Sequence, residues 1–299
     1  GNNGQSELTD KQVCIMQSTE TEYPAILLDF GKEIQGGIQI VTSAKGANRP
    51  VKIRVRFGES VSEAMSDIGG SQGATNDHAM RDFYMEVPWL GVAEIGNSGF
   101  RFVRIDLAEA NTTLSLKEIN AIFAYRDVLY LGSFRSNDER LNDIWMTGAY
   151  TVHLNMQEYL WDGIKRDRMV WLGDLHPEVM TVSTVFGYND VVPRSLDLAR
   201  DITPLPNWMN GMAAYSLWWI IIHRDWYYYQ GNLSYLREQQ KYLTDLLNLL
   251  FTKVDASGQE KLDGGGRFLD WPSSPNEQGV NAGLQALMIM TFRSGADLC

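Results

Sequence analysis

Asp162–Asp174 reads DGIKRDRMVWLGD, and the rest of the chain divides around it. The stretch holds three aspartates (Asp162, Asp167, Asp174), the cations Lys165, Arg166 and Arg168, one tryptophan and two glycines. Residues ahead of it have strand periodicity; those beyond it form long aromatic helical patterns. At about 100° per residue, a single helix would place Asp162 and Asp167 roughly 140° apart, on different faces. Gly163 and Gly173 would each cost such a helix about 1 kcal/mol relative to alanine. A loop, or a loop entering a short helix, fits better and lets the three carboxylates converge on one pocket. The neighbouring arginines would then offset part of the charge and lower the aspartate pKa values. Spacing alone leans slightly toward a plainer account, a buried Asp–Arg network that pins a domain junction.

Working back toward the N-terminus, short strands are expected at Ala25–Phe30, Gly37–Ala44, Val51–Gly58, Asp82–Val87, Phe100–Leu107 and Ile119–Arg126. In Val51–Phe57 the residues Val51, Ile53, Val55 and Phe57 alternate with Lys52, Arg54 and Arg56, which is the pattern of a half-buried antiparallel strand. Several such strands between turn residues predict a β-sandwich. Residues 60–76, with Gly69, Gly70 and Gly73, read as a long loop. The acids Glu59, Glu63 and Asp67 in and beside it could serve a ligand, but solvated loop charges are the expected account.

Working forward, the period becomes helical at Ser136. Leu141, Ile144, Trp145, Gly148 and Val152 share a stripe, with Ser136 or Asn137 as N-cap. Further helices are expected near Pro177–Phe186, Val192–Arg200, Asn210–Tyr229, Asn232–Phe251 and from about Asn276 to Leu298. Asn210 is suited to cap the helix that follows it. Aromatic helices joined by loops suggest a toroid of hairpins. The expected organisation is a flexible segment over 1–20, a β-sandwich over 21–130 and part of a helical barrel over 131–299.

Composition bounds the function. The 299 residues can bury one large core or two medium ones. A net charge of -11 argues against nucleic acid or an anionic membrane as a partner. No apolar run is long enough to span a bilayer. Cys14 and Cys299 have neither metal-ligand nor redox spacing, and the four histidines form no zinc motif. There is no nucleophile elbow and no dinucleotide fingerprint, so no cofactor is implied. The content of 9 Trp, 13 Tyr and 11 Phe is high, which suits sugar stacking as well as a helical core.

Two further stretches carry candidate side chains. Gly264–Pro275, GGGRFLDWPSSP, would set the Asp270 carboxylate beside Trp271 after three glycines that permit close backbone approach. A plain turn capped by Asp270 explains it equally well. In Pro206–Gly211, Trp208 is either a core residue or a sugar platform.

With these residues in view, the chain resembles glycoside hydrolase family 78, the bacterial α-L-rhamnosidases. The likeness runs from about Tyr23 onward. Gly99–Ile105 (GFRFVRI) is similar to the family's junction strand, and Phe134–Ile144 (FRSNDERLNDI) to the phrase that opens its barrel. DGIKRDRMVWLGD follows the family pattern D-C-P-x-R-[DE]-R-L-G-W-x-G-D without a gap. The resemblance implies a β-sandwich followed by an (α/α)6 barrel and an inverting reaction. Asp167 falls at the general acid. Asp162 and Asp174 fall at carboxylates that bind rhamnose hydroxyls, and Arg166 and Trp171 at the sugar-site arginine and aromatic wall. Asp270 and Trp271 are similar to a later D-W element, and Trp208 joins the expected sugar site. Gly163-Ile164 replaces Cys-Pro, Val170 replaces a glycine, and Asp167 is one methylene shorter than the usual glutamate.

The family's base is a glutamate in the second half of the barrel, expected beyond residue 299. Glu178, Asp270 and Glu277 match it by no motif. The expected function is therefore an inverting α-L-rhamnosidase acting on a rhamnose-containing carbohydrate, with a periplasmic or extracellular location expected and a cytoplasmic one left open. The rivals are a glycosidase for another sugar on the same scaffold, or a carbohydrate-binding fragment without turnover. A partial barrel would expose apolar helix faces and could pair as a homodimer.

Overall fold

The computed structural model describes residues 13–69, 81–263 and 267–299. The first twelve residues, the glycines Gly70 and Gly73 of the long loop, His78 and the run Gly264–Gly266 lie outside the described residues. The chain forms two compact units. One comprises residues 1–125 together with 163–168; the other comprises 126–162 and 169–299.

The first unit is an antiparallel sheet of β1 (Cys14–Gln17), β2 (Ala25–Thr42), β3 (Val51–Gly58), β4 (Arg81–Val87), β5 (Gly91–Leu107) and β6 (Thr113–Phe123), ordered β1-β6-β2-β5-β3-β4. The short helix α1 (Val61–Met65) follows β3 and is capped by Ser60, whose side chain accepts from the Glu63 amide. The strands expected at Ala25–Phe30 and Gly37–Ala44 are one 18-residue strand, β2. Its first part, Ala25–Asp29, pairs with Phe102–Asp106 of β5. Its second part pairs with Gly91–Phe100 of β5 on one edge and with β6 on the other. The register slips between Asp29 and Ile34 and again at Gly36/Gly37. Backbones crowd at that second slip: a Cβ on Gly96 would stand 2.2 Å from Gly37 Cα. Bulged long strands let the sheet fold over one core as a sandwich. Its hydrophobic cluster draws Met16 from β1, Ile38 and Ile40 from β2, Ile53 and Phe57 from β3, Phe100 from β5 and Leu114 from β6. Phe57 and Phe100 meet edge to face at 4.8 Å.

Two expectations need correction here. Cys14–Gln17, expected within a flexible segment, pairs with Thr113–Leu116 of β6. Arg56, expected on a solvated face, is buried. Its guanidinium bonds Asp106 Oδ2 at 3.0 Å and the Ser66 carbonyl at 3.1 Å. The segment following α1 brings Ser66 to this face, so a charged residue there is paired instead of hydrated.

The second unit is helical: α2 (Glu139–Asn155), α3 (Leu172–Thr181), α4 (Val191–Asp201), α5 (Ala213–Gln230), α6 (Leu233–Phe251) and α7 (Glu277–Leu298). Asp138 caps α2, one or two residues after the expected position, by accepting from the Arg140 amide. Asn232 and Asn276 cap α6 and α7 in the same way. The α3 helix begins five residues earlier than expected and widens into a π-turn over Val182–Phe186. α5 is apolar almost all round, and it packs against both α3 and α7. Its buried residues Leu217, Trp219, Ile220 and Trp226 centre one large core. His223 lies in that core with its Nδ1 2.7 Å from the Trp219 carbonyl, and burial pushes its pKa down to about 4. No helix among the described residues is long and apolar enough to cross a membrane.

Candidate active site

The motif is a loop that enters a helix. Asp162 and Met169 are hydrogen bonded to each other, and between them the chain makes an excursion, Gly163–Arg168, that packs with the sheet unit. Gly99 N donates to the Ile164 carbonyl at 2.9 Å. Lys165, 4% exposed, bonds Glu59 at 2.8 Å and Glu63 at 2.7 Å. The two acids expected in solvent therefore hold the motif's lysine. Arg81 bonds the Lys165 carbonyl, and Arg168 Nη1 donates to the Asn97 carbonyl at 2.5 Å.

At the tip of the excursion Asp167 and Arg168 both take left-handed backbone conformations, with φ of 53° and 56°. For side-chain-bearing residues such geometry is uncommon and tends to mark functional loops. Arg166 and Asp167 are both exposed, with Arg166 Nε 3.7 Å from Asp167 Oδ1. That is a loose surface pair, in contrast to the buried Asp–Arg network that spacing alone favoured.

The remaining motif residues belong to the helical unit. Asp162 Oδ1 accepts from Met169 N at 2.9 Å, and Trp171 is the N-cap residue of α3. Asp174 lies in the first turn of α3, where the positive end of the helix dipole favours a carboxylate. Asn210 does not cap α5; Met212 occupies that position. Asn210, with φ 51°, instead reaches the motif. Its Oδ1 accepts from Leu172 N at 3.1 Å and its Nδ2 donates to the Val170 carbonyl at 3.0 Å. One side chain thus fixes the peptides on both sides of Trp171.

Two acidic groups act on the same neighbours. Asp162 and Asp174 each raise the pKa of Glu178 on α3 and of Tyr215 on α5. Glu178 is 7% exposed, and burial foremost pushes its carboxyl up to about 8, against a lowering by the Asn155 hydrogen bond. Burial likewise pushes the Tyr215 phenol up to about 12. Glu178 was not among the expected site residues. A signal was present: Leu175, Val179 and Val182 mark the buried stripe of this helix, and Glu178 falls inside it.

Aromatic rings extend from this cluster. Trp171 meets Tyr215 at 6.1 Å, Tyr215 meets Phe268 at 6.4 Å, and Phe268 meets Trp271 at 5.0 Å, all edge to face. Trp271 ends the series 79% exposed. Asp270 is exposed and accepts from Ser273 N at 2.8 Å, which closes a local turn; the Ser273 side chain foremost, and then this amide, lower its pKa. Trp208 Nε1 donates to the Asp263 carbonyl at 2.6 Å, so this ring is half-buried and tethered. No group of three His, Cys, Asp or Glu residues among the described residues could hold a metal ion.

Comparison with known proteins places these observations. The structure is similar to a rhamnosidase from Klebsiella oxytoca with rhamnose bound, at a TM-score of 0.70 and 19% identity, covering 95% of this chain and 62% of that one. It is similar to the GH78 rhamnosidase of Bacillus sp. GL1, with a TM-score of 0.67, 20% identity, and coverage of 95% of this chain and 32% of the other. The α-L-rhamnosidase of Dictyoglomus thermophilum gives a TM-score of 0.67 at 20% identity, covering 96% of this chain and 34% of that one. The chain thus spans between about a third and three-fifths of the length of these relatives, and at such identities the likeness speaks for the fold. No curated protein sequence matches it. Residues 130–291, more than half of the chain, match the model of the bacterial alpha-L-rhamnosidase six-hairpin glycosidase domain. The sandwich, the helices of a six-hairpin toroid and the unbroken motif have one common explanation: the chain belongs to the bacterial α-L-rhamnosidase six-hairpin glycosidase family.

Proposed function

We propose that this chain carries the acid and the sugar-binding carboxylates of an inverting α-L-rhamnosidase. The observation that carries the reading is that the family match spans Asp162–Asp174, where the motif runs without a gap. Asp162 and Asp174 bind hydroxyls of a terminal rhamnose, Trp171 forms an apolar wall, and Arg166 adds a donor. The exposed Trp271, with Asp270 beside it, and Trp208 extend the sugar-binding surface.

Asp167 is the general acid. It gives its proton to the glycosidic oxygen as the C1–O bond breaks, while a second carboxylate takes a proton from the water that attacks the opposite face of C1. In an inverting pair the two carboxyl groups stand about 6.5–9.5 Å apart to admit that water. Exposure of Asp167 on a left-handed tip supports the assignment, because an acid must reach an oxygen of the substrate.

The test is hydrolysis of p-nitrophenyl α-L-rhamnoside by the protein containing this chain. Asp167→Asn should lose orders of magnitude in turnover while the affinity for L-rhamnose changes little. Unchanged turnover in that variant would rule out the acid. Failure to hydrolyse the rhamnoside, with turnover of another glycoside, would redirect the specificity.

A further inference from the structure

We propose that Lys165, held by Glu59 and Glu63, is a positioning residue that sets the tip of the motif loop and with it the proposed acid Asp167. The role of Asp167 rests on the rhamnoside reading. The hold on the loop rests on contacts within the sheet unit, to which residues 163–168 belong.

The tip needs a hold. Gly163 opens the segment with wide backbone freedom. Asp167 stands at the apex of a three-residue turn, closed by Arg168 N donating to the Arg166 carbonyl at 2.7 Å. Its φ of 53°, like the 56° of Arg168, is a conformation that surrounding contacts must impose. The apex side chains supply little of that constraint: Arg166 and Asp167 are exposed and pair only loosely, at 3.7 Å. Of the four charged side chains in the segment, Lys165 alone is buried. Its Nζ lies 2.8 Å from Glu59 Oε2 and 2.7 Å from Glu63 Oε2, and Arg81 of β4 bonds its carbonyl.

The two acids are themselves fixed. Glu59 follows β3 and Glu63 lies in α1; Glu59 N donates at 2.8 Å to the same Glu63 oxygen that receives the lysine. Ala64 is fully buried, and α1 lies so close to the end of β3 that a Cβ on Gly58 would stand 2.6 Å from Ala64 N. Glu33 of β2 feels the same charges. Burial foremost, and then Glu59, pushes its carboxyl up to about 8, so near neutral pH two anions share the ammonium, not three. A buried cation without partners would be strongly disfavoured. Pairing therefore fixes where the ammonium sits, and with it the backbone two residues before Asp167. A general acid displaced by about 1 Å can lose roughly 100-fold in rate, so this hold bears on turnover.

The test compares Lys165→Met and Lys165→Arg in the protein containing this chain, on two substrates. Proton donation matters most for a poor leaving group. An alkyl α-L-rhamnoside therefore depends on a well-placed acid, and a dinitrophenyl α-L-rhamnoside hardly does. Lys165→Met should lower kcat by about 100-fold on the alkyl compound and by less than about tenfold on the dinitrophenyl one, with L-rhamnose affinity unchanged. Lys165→Arg, which keeps the cation, should recover most of the lost turnover. Amide hydrogen exchange needs no substrate. The N–H groups of Gly99 and Arg168, which bond the Ile164 and Arg166 carbonyls, should exchange about tenfold faster or more in Lys165→Met. Equal losses on the two rhamnosides, or unchanged exchange at these amides, overturn the proposal. A wild type that hydrolyses neither compound ends the rhamnoside reading on its own. The exchange rates then decide whether Lys165 sets the tip: faster exchange upholds it, and unchanged exchange overturns it.

Discussion

Asp162 and Met169 hold each other by two hydrogen bonds. Asp162 N donates to the Met169 carbonyl at 3.0 Å, and Met169 N donates to Asp162 Oδ1 at 2.9 Å. The aspartate proposed to bind sugar is thus also the clasp of the loop that carries the proposed acid.

The two duties separate by substitution. Asp162→Asn keeps an oxygen for Met169 N and removes the charge; Asp162→Ala removes both. Asp162→Asn should stay within a few tenths of a kcal/mol of the wild type in stability, and Asp162→Ala should lose about 1 kcal/mol or more. Both should weaken L-rhamnose binding. Chemical denaturation and calorimetric titration of the same samples read the two effects, and equal stability of the two variants would remove the clasp.

Asn210 supports Trp171 from a distant position in the sequence. Asn210→Ala loses both hydrogen bonds to the motif and keeps an unfavourable left-handed backbone, so a loss of about 1–3 kcal/mol is expected. Asn210→Gly loses the same bonds without the backbone penalty and should be more stable than Asn210→Ala by about 1 kcal/mol. Trp171 fluorescence should shift in both variants.

Gly99 leaves no room for a side chain where the motif loop passes. A Cβ there would stand 2.5 Å from Ile164 Cγ1. Gly99→Ala should therefore displace the 163–168 segment and cost about 1–3 kcal/mol. Limited trypsin digestion provides the readout, since Lys165, Arg166 and Arg168 become cleavage sites once the segment lifts. Wild-type resistance in this variant would show that the loop does not depend on that contact.

Glu33 and Glu178 give the protein a pH dependence of definite sign. Each carboxyl is pushed up from 4.5 to about 8. For Glu33 burial is the largest cause, followed by the charge of Glu59, with Lys165 pulling the other way. Both groups hold their protons more tightly folded than unfolded, so the folded state binds the extra protons between about pH 4.5 and 8. Stability from these two groups is full below pH 4.5 and falls as pH rises through that window. Glu33→Gln should match the wild type in thermal midpoint near pH 4.5 and exceed it increasingly toward pH 8. A constant difference across the window would show that Glu33 is ordinary.

Much of the chain was legible from its residues, for definable reasons. The alternation in Val51–Phe57 and the i, i+3, i+4 stripe of α6 depend on local periodicity, which burial against one core enforces. Local periodicity could not show that Arg56 is covered, because Asp106, its partner, lies fifty residues away and reaches it through the sheet. Nor could it show β1, a four-residue strand whose partners, Thr113–Leu116 of β6, are distant in the sequence. At the candidate site, the motif carries the proposed acid Asp167 and the proposed sugar-binding residues Asp162 and Asp174. The residues that hold it, Asn210, Asn155, Glu59 and Glu63, come from other elements and share no spacing with it. Glu178, by contrast, had a local mark, a carboxyl on an apolar stripe.

The six residues from Gly163 to Arg168 are counted with one unit by their contacts while the chain on both sides of them belongs to the other. No single cut in the sequence separates the two units. A helical portion expressed from Arg126 onward would carry Ile164 and Lys165 without the Gly99, Glu59 and Glu63 that receive them. A recombination event that joined a foreign sandwich to these helices would have to bring a matching 163–168 segment with it.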